Sequence, residues 1–382
     1  MGLSSLLIPD QIGGLSLMNY LKSRLRVSML GVVAWLLLSA AMVYLSFHPS
    51  SEWPQTSSMA LIGGLVGMFL LFGLPVDFLA GYWLPRRFAR QQQEVKEWLI
   101  SWSKAATIQG IFLWLNLGMM VAMSAWLGWI GSIGWFFLSM MLLVGFQFYL
   151  HIGLTWARHE MENNQGRLLF VVEHQDRSFT GGIYGLPGKE SIVYPRYWRE
   201  RFPDGANRLL VARRHGAVNT GSHGRGVLLG FGSNLLCFGL ALFLSPAPLH
   251  QFPGLLGVIG IFSLLAALNQ LLLAKLSRRG VFELDRWTYF KKMDPDDLRA
   301  SIEWTHRLQE DQGDAKLPWG GWTPTPSRKA REHMFSSQRE VKGAWQAAKY
   351  ASFSSWAGFN LLNRAWPDQV GRPELWVFGP VD

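Results

Sequence analysis

The chain is poor in cysteine and in charge, and parts of it hold no basic residues at all. One cysteine, Cys237, excludes an intrachain disulfide and any cysteine-based metal cluster. Set within an apolar run, it reads as a small buried residue. Only 16% of the 382 residues are charged, against about 25% in soluble domains. The first 26 residues lack a basic stretch, an apolar run and a small-residue cleavage site in that order, so no cleavable signal peptide is expected.

What is abundant is hydrocarbon, at 49% of the residues, and it comes in blocks. Six segments approach or exceed the roughly 20 apolar residues that cross a hydrocarbon core of about 30 Å: 27–47, 59–80, 105–127, 130–150, 226–245 and 252–276. Pro75 and Asp77 lie near the end of the second. All 36 Lys and Arg fall before span one, after spans two and four, or from the end of span six onward, and the loops 48–58, 128–129 and 246–251 hold none. That asymmetry predicts a cytoplasmic basic side carrying both termini, in a plasma membrane of the bacterial inner-membrane kind. The net charge of +10 is then explained by orientation and contact with anionic lipid, and nucleic acid is not expected as a partner. Trp53, Trp83, Trp126, Trp129 and Trp156 fall near the predicted interfaces, where an amphipathic ring is favoured. Asn116, Asn234, Asn269 and Gln270 read as helix–helix hydrogen-bonding groups within the spans.

Between the spans, 85–104 has the spacing of an amphipathic helix, with Phe88, Val95, Leu99 and Trp102 on one face. Segment 151–225 reads as a small mixed α/β unit. Its strands are expected at 168–174, within 178–185 and at 192–194, and a helix over 204–225 runs toward span five. After span six the helix should continue over 277–290, and Asp294-Pro295 opens a further helix over 294–311. Residues 317–326 form a Pro/Gly/Trp loop. Trp345, Ala348, Ser352, Trp356, Phe359 and Trp366 predict an amphipathic helix over 341–366, packed on the α/β unit or lying at the membrane surface. Three regions result: a four-span part (1–150), a part with spans five and six (151–315), and a Trp-rich cytoplasmic extension (316–382). The ending 374–381 is a candidate strand.

The order of these pieces resembles the integral-membrane zinc endopeptidases of the CaaX-prenyl-protease and HtpX type. The pieces are 77–87 (DFLAGYWLPRR), 178–182 (SFTGG), 207–223, 277–286 (SRRGVFELDR) and 294–310. The resemblance spans roughly 70–312. It implies a mainly α, polytopic membrane fold of about six transmembrane helices with a small cytoplasmic, gluzincin-like α/β unit. It also marks Phe179, Thr180, Gly181 and Gly182 as an edge strand that receives peptide backbone by β-augmentation.

The chemistry departs from that family. A His-Glu-x-x-His helix supplies two imidazoles one turn apart and a general base, and a Glu from a second helix completes the zinc site. Here Arg214 and Val218 stand at the two histidine positions, His215 at the base position and Val281 at the third-ligand position, while Asp285 is kept. Neither Arg nor Val binds zinc, so no metal, cofactor or catalytic residue is expected. Arg213 or Arg214, paired with Glu283 or Asp285, is a candidate replacement of the metal by a guanidinium. The readings left are a pseudopeptidase acting as scaffold, adaptor or peptide-binding protein for a membrane protein or peptide segment; an active zinc endopeptidase with a non-standard site; and a transporter or channel component.

Overall fold

The computed structural model describes residues 13–51, 53–54, 56–88, 94–155, 157–164, 166–173, 179–290, 296–297, 302, 326–336, 341–366 and 370–371. The helix expected over 294–311, the loop 317–326 and the strand 374–381 lie wholly or almost wholly outside them. Five helices are long and apolar enough to cross a membrane. The first is α1 (Gly13–Phe47). The second is α2 (Met59–Phe78), which runs on through a π-helical turn, Leu79–Trp83, into Leu84–Arg87.

The longest, Val95–Gly145, is two spans. Gly128 leaves helical geometry at φ 62° and ψ −146°. Residues 95–127 (α3) and 129–145 (α4) then fold back on each other. Trp135 Nε1 donates to Asn116 Oδ1 at 3.0 Å and Ser139 Oγ to the same oxygen at 2.6 Å. In one straight helix, residues 116 and 139 would stand about 34 Å apart at 1.5 Å per residue. The described residues therefore supply six crossing segments. Apolar side chains such as Leu71, Leu236, Phe243 and Leu272 project outward from the bundle, as a lipid-facing surface requires. The Lys/Arg-free loops gather at one end, where Ser57 N donates to His250 O at 2.9 Å and Trp53 packs on Phe252.

Among the described residues, the separate amphipathic helix expected over 85–104 does not form. Residues 84–87 close α2, and 95–104 are the first turns of α3. The expected face is also wrong, because Val95 and Leu99 are exposed while Trp98 is buried against Phe78 and Tyr82.

After α5 (Gln147–Thr155) comes a four-stranded sheet in the order β1-β2-β4-β3, formed by β1 (Arg158–Asn164), β2 (Arg167–Glu173), β3 (Gly182–Tyr184) and β4 (Ser191–Pro195). The β2–β4 pair is parallel and the other two pairs are antiparallel. The three expected strands are present, and β1 is an addition. A short α6 (Arg196–Arg201) leads to α7 (Asp204–Asn219), and α8 (Ser222–Leu244) follows. The helix expected to run unbroken over 204–225 is interrupted because Gly221 adopts the left-handed conformation, φ 70°. α9 (Phe252–Phe290) carries span six and its helical continuation, and α10 (Arg328–Ser336) packs on it.

The C-terminal segment overturns the expectation of one amphipathic helix over 341–366 on the α/β unit or membrane surface. Only α11 (Ala347–Ser354) is α-helical, followed by 3-10 turns at Ser355–Gly358 and Leu361–Ala365. These turns are buried inside the helix bundle. Gly358 lies against Phe136 and Phe262. Phe262 is about 15 Å along α9 from Phe252, half the depth of a hydrocarbon core of about 30 Å. The chain then returns, and Arg364 pairs with Asp77 near the end of α2 that lies toward the sheet. The segment is thus re-entrant. Non-helical backbone at that depth is tolerated only when protein surrounds it and answers its polar groups.

Candidate functional site

α7 and the sheet-side half of α9 pack together, and a buried carboxylate on α9 holds the junction. Asp285 Oδ1 lies 2.8 Å from Arg213 Nη2, with both side chains about 1% exposed. The same carboxylate accepts two bonds from Arg331 of α10, Nε to Oδ2 at 2.8 Å and Nη2 to Oδ1 at 2.7 Å. Glu283 does not meet Arg213 or Arg214. Arg225 Nη2 of α8 donates to both of its oxygens, at 2.7 and 2.8 Å, and Gly343 N donates to Oε2 at 2.8 Å. Two carboxylates two residues apart on α9 therefore answer three different helices, α7, α8 and α10, and the C-terminal segment.

Arg214 turns to the sheet. Its guanidinium donates to Val193 O at 2.9 Å and Thr180 O at 2.6 Å, and lies over the rings of Tyr194 and Trp198. It fastens the strand leading into β3 onto β4. The approach there is close enough to need glycine: Gly181 has φ 67°, and a Cβ on it would overlap the Val193 carbonyl. His215 faces the β1–β2 hairpin. Its Nε2 lies 3.2 Å from Asn164 Oδ1 and its Nδ1 3.2 Å from Arg167 Nη1. The carbonyl oxygen accepts and the guanidinium donates, which assigns a neutral ring with its proton on Nε2. Burial first, and the Arg167 charge second, push this imidazole below its usual pKa.

Val281 and Val218, which the resemblance sets at ligand positions, sit in hydrocarbon. Val281 packs with Ile183, Ala217, Leu284 and Trp345, and Val218 lies against that cluster. A guanidinium and two isopropyl groups offer no lone pair, so these residues do not fit zinc. Among the described residues, no three His, Cys, Asp or Glu side chains come together to hold a metal ion.

The edge strand is closed as well. Phe179, Thr180, Gly181 and Gly182 are all buried. Ile183 O accepts a hydrogen bond from Tyr350 Oη at 2.8 Å. Arg331, Arg225, Trp345 and Tyr350 are thus site residues that sequence reasoning missed. Three of the four come from the region read as an extension, and no spacing in the chain ties them to α9.

No family model matches the chain, and no curated protein matches it in sequence. A solved structure does: the crystal structure of S. mikatae Ste24p matches with a TM-score of 0.61 at 14% identity, covering 78% of this chain and 80% of that one. At that identity the likeness concerns the fold, and this chain has the polytopic, mainly helical membrane fold with a small sheet that Ste24p has.

Proposed function

We propose that this protein is a non-hydrolytic relative of the CaaX prenyl proteases, a membrane scaffold built on the Ste24p-like fold. The observation that carries this reading is the buried Arg213–Asp285–Arg331 cluster. The carboxylate that the resemblance marks as kept is engaged by two guanidiniums, and hydrocarbon stands at the positions where metal ligands are needed. A cation is still joined to the α9 carboxylate, so the helix pair keeps its electrostatic tie without a metal. The interior of the bundle is occupied by the chain's own C-terminal segment, which weighs against a transport path. On this reading the basic, sheet-bearing end and both termini face the cytoplasm of a bacterial inner membrane, and the partner is a membrane protein or peptide segment. Metal analysis of the purified protein, together with a peptide-hydrolysis assay, tests it. The expected result is substoichiometric zinc and no chelator-sensitive cleavage. One zinc per chain, with cleavage abolished by a chelator, overturns the proposal.

A further inference from the structure

The C-terminal segment lies among the helices of the bundle. Span residues address its main chain. Asn116 Nδ2 donates to Ala357 O at 2.6 Å and Asn234 Nδ2 to Ala351 O at 2.7 Å. Ser28 Oγ donates to Ala365 O at 2.5 Å. Ser263 Oγ accepts from Leu361 N at 3.1 Å, Ser277 Oγ from Ala348 N at 3.0 Å, and Asp77 Oδ1 from Gly371 N at 3.2 Å. These six side chains come from α1, α2, α3, α8 and α9, and each reads a backbone atom. Side-chain contacts such as Arg364 with Asp77 and Ser354 with Asn234 add to them.

Two non-glycine residues in the segment, Gln346 (φ 67°) and Phe359 (φ 57°), hold left-handed backbone. Such conformations persist where the surroundings over-determine them. The same segment caps the β3 edge through Tyr350 and packs Trp345 against Val281.

We propose that the space between the spans, with the β3 edge, is a peptide site that reads main chain, and that residues 343–366 with 370–371 of the same chain are its resident ligand. The site is thereby closed to peptides from outside. This rests on the non-hydrolytic reading above, because a peptidase would need the same space for substrate.

Gly31 of α1 supplies the test. A Cβ on it would stand 3.2 Å from Ala365 Cβ, a few tenths of an ångström short of the usual disulfide range of about 3.5–4.5 Å. In full-length protein carrying Cys237→Ala, Gly31→Cys and Ala365→Cys, oxidation in native membranes should give an intramolecular disulfide. The expected readout is loss of most maleimide labelling at monomer mobility. A cross-linked dimer, or two free thiols after oxidation, overturns the proposal. A second experiment keeps every native residue. A protease site is inserted between Lys316 and Leu317 of the full chain, and the protein is cut in mild detergent. The fragment 317–382 should co-elute with the rest, and a fluorescent synthetic copy of 341–371 should not bind the uncut protein. Release of the fragment, or stoichiometric peptide binding to the uncut chain, sinks the idea. Zinc and proteolysis would instead sink the earlier reading, whatever the cross-link did.

Discussion

Tyr350, from the C-terminal segment, donates its phenolic proton to the carbonyl of Ile183 on the edge strand β3, at 2.8 Å and away from solvent. Tyr350→Phe keeps the ring and removes only the donor. Stranding a buried carbonyl costs about 1–3 kcal/mol. The unfolding midpoint in detergent should fall accordingly with the denaturant slope unchanged. An unaltered midpoint would mean that Ile183 O is answered by another group.

Asp285 faces Arg213 and Arg331. Asp285→Asn removes the charge that holds both guanidiniums at the α7–α9–α10 junction. Removing one partner of a buried ion cluster costs about 3–5 kcal/mol. Replacing the whole cluster by hydrocarbon of similar volume is often neutral. Asp285→Leu combined with Arg213→Met and Arg331→Met should therefore recover most of the loss in a chemical-denaturation series. A triple variant no more stable than the single would show that the charges do more than tie the helices.

The parts of this fold legible in the sequence are those set by bulk hydrophobicity. The span segments, the strands β2 and β4, and the continuation of α9 past the membrane follow from apolar runs and β-branched residues. β1 (Arg158–Asn164) was hidden because it is an exposed edge of polar residues, which carries no alternation to read. The C-terminal segment was hidden for the opposite reason. Its aromatic spacing satisfies a helical period, yet the segment is buried on every side, with polar residues such as Ser355, Asn360 and Asn363 bonded to one another, and periodicity does not distinguish an amphipathic face from full burial. At the site, Arg213 near Asp285 was within reach of the sequence, because both positions follow from aligned helices. The pairing of Glu283 with Arg225, and of Asp285 with Arg331, depends on long-range packing that no spacing encodes. Asn116 and Asn234, read as helix–helix groups, also answer carbonyls of the re-entrant segment, while Asn269 donates to Ser233 between α9 and α8 as expected.

His215 gives the protein a pH dependence. Burial and Arg167 lower its pKa in the folded state from the ordinary 6.5. The folded state therefore favours the neutral ring, and the unfolded state binds a proton more readily. The stability this contributes is fully present above about pH 6.5 and is lost as pH falls from there through the folded pKa. Thermal midpoints measured from pH 8 to pH 5 should decline below about 6.5, and His215→Gln, which cannot titrate, should flatten that decline. An identical pH profile in the variant would assign the effect to other groups.

Two glycines on α8 separate close packing from helix propensity. A Cβ on Gly226 would overlap the carbonyl of Trp345, whereas a Cβ on Gly232 meets nothing within 4 Å. Alanine is the better helix former at both places, by about 0.5–1 kcal/mol. At Gly232 that gain stands alone, so Gly232→Ala should be neutral or slightly stabilising. At Gly226 the added methyl forces the C-terminal segment away from α8, and overpacking of this kind costs about 1–3 kcal/mol. Gly226→Ala should lower the unfolding midpoint and speed tryptic cleavage at Lys349, which sits in the displaced segment. If both variants behaved alike, the contact between Gly226 and the Trp345 carbonyl would not be holding the segment in place.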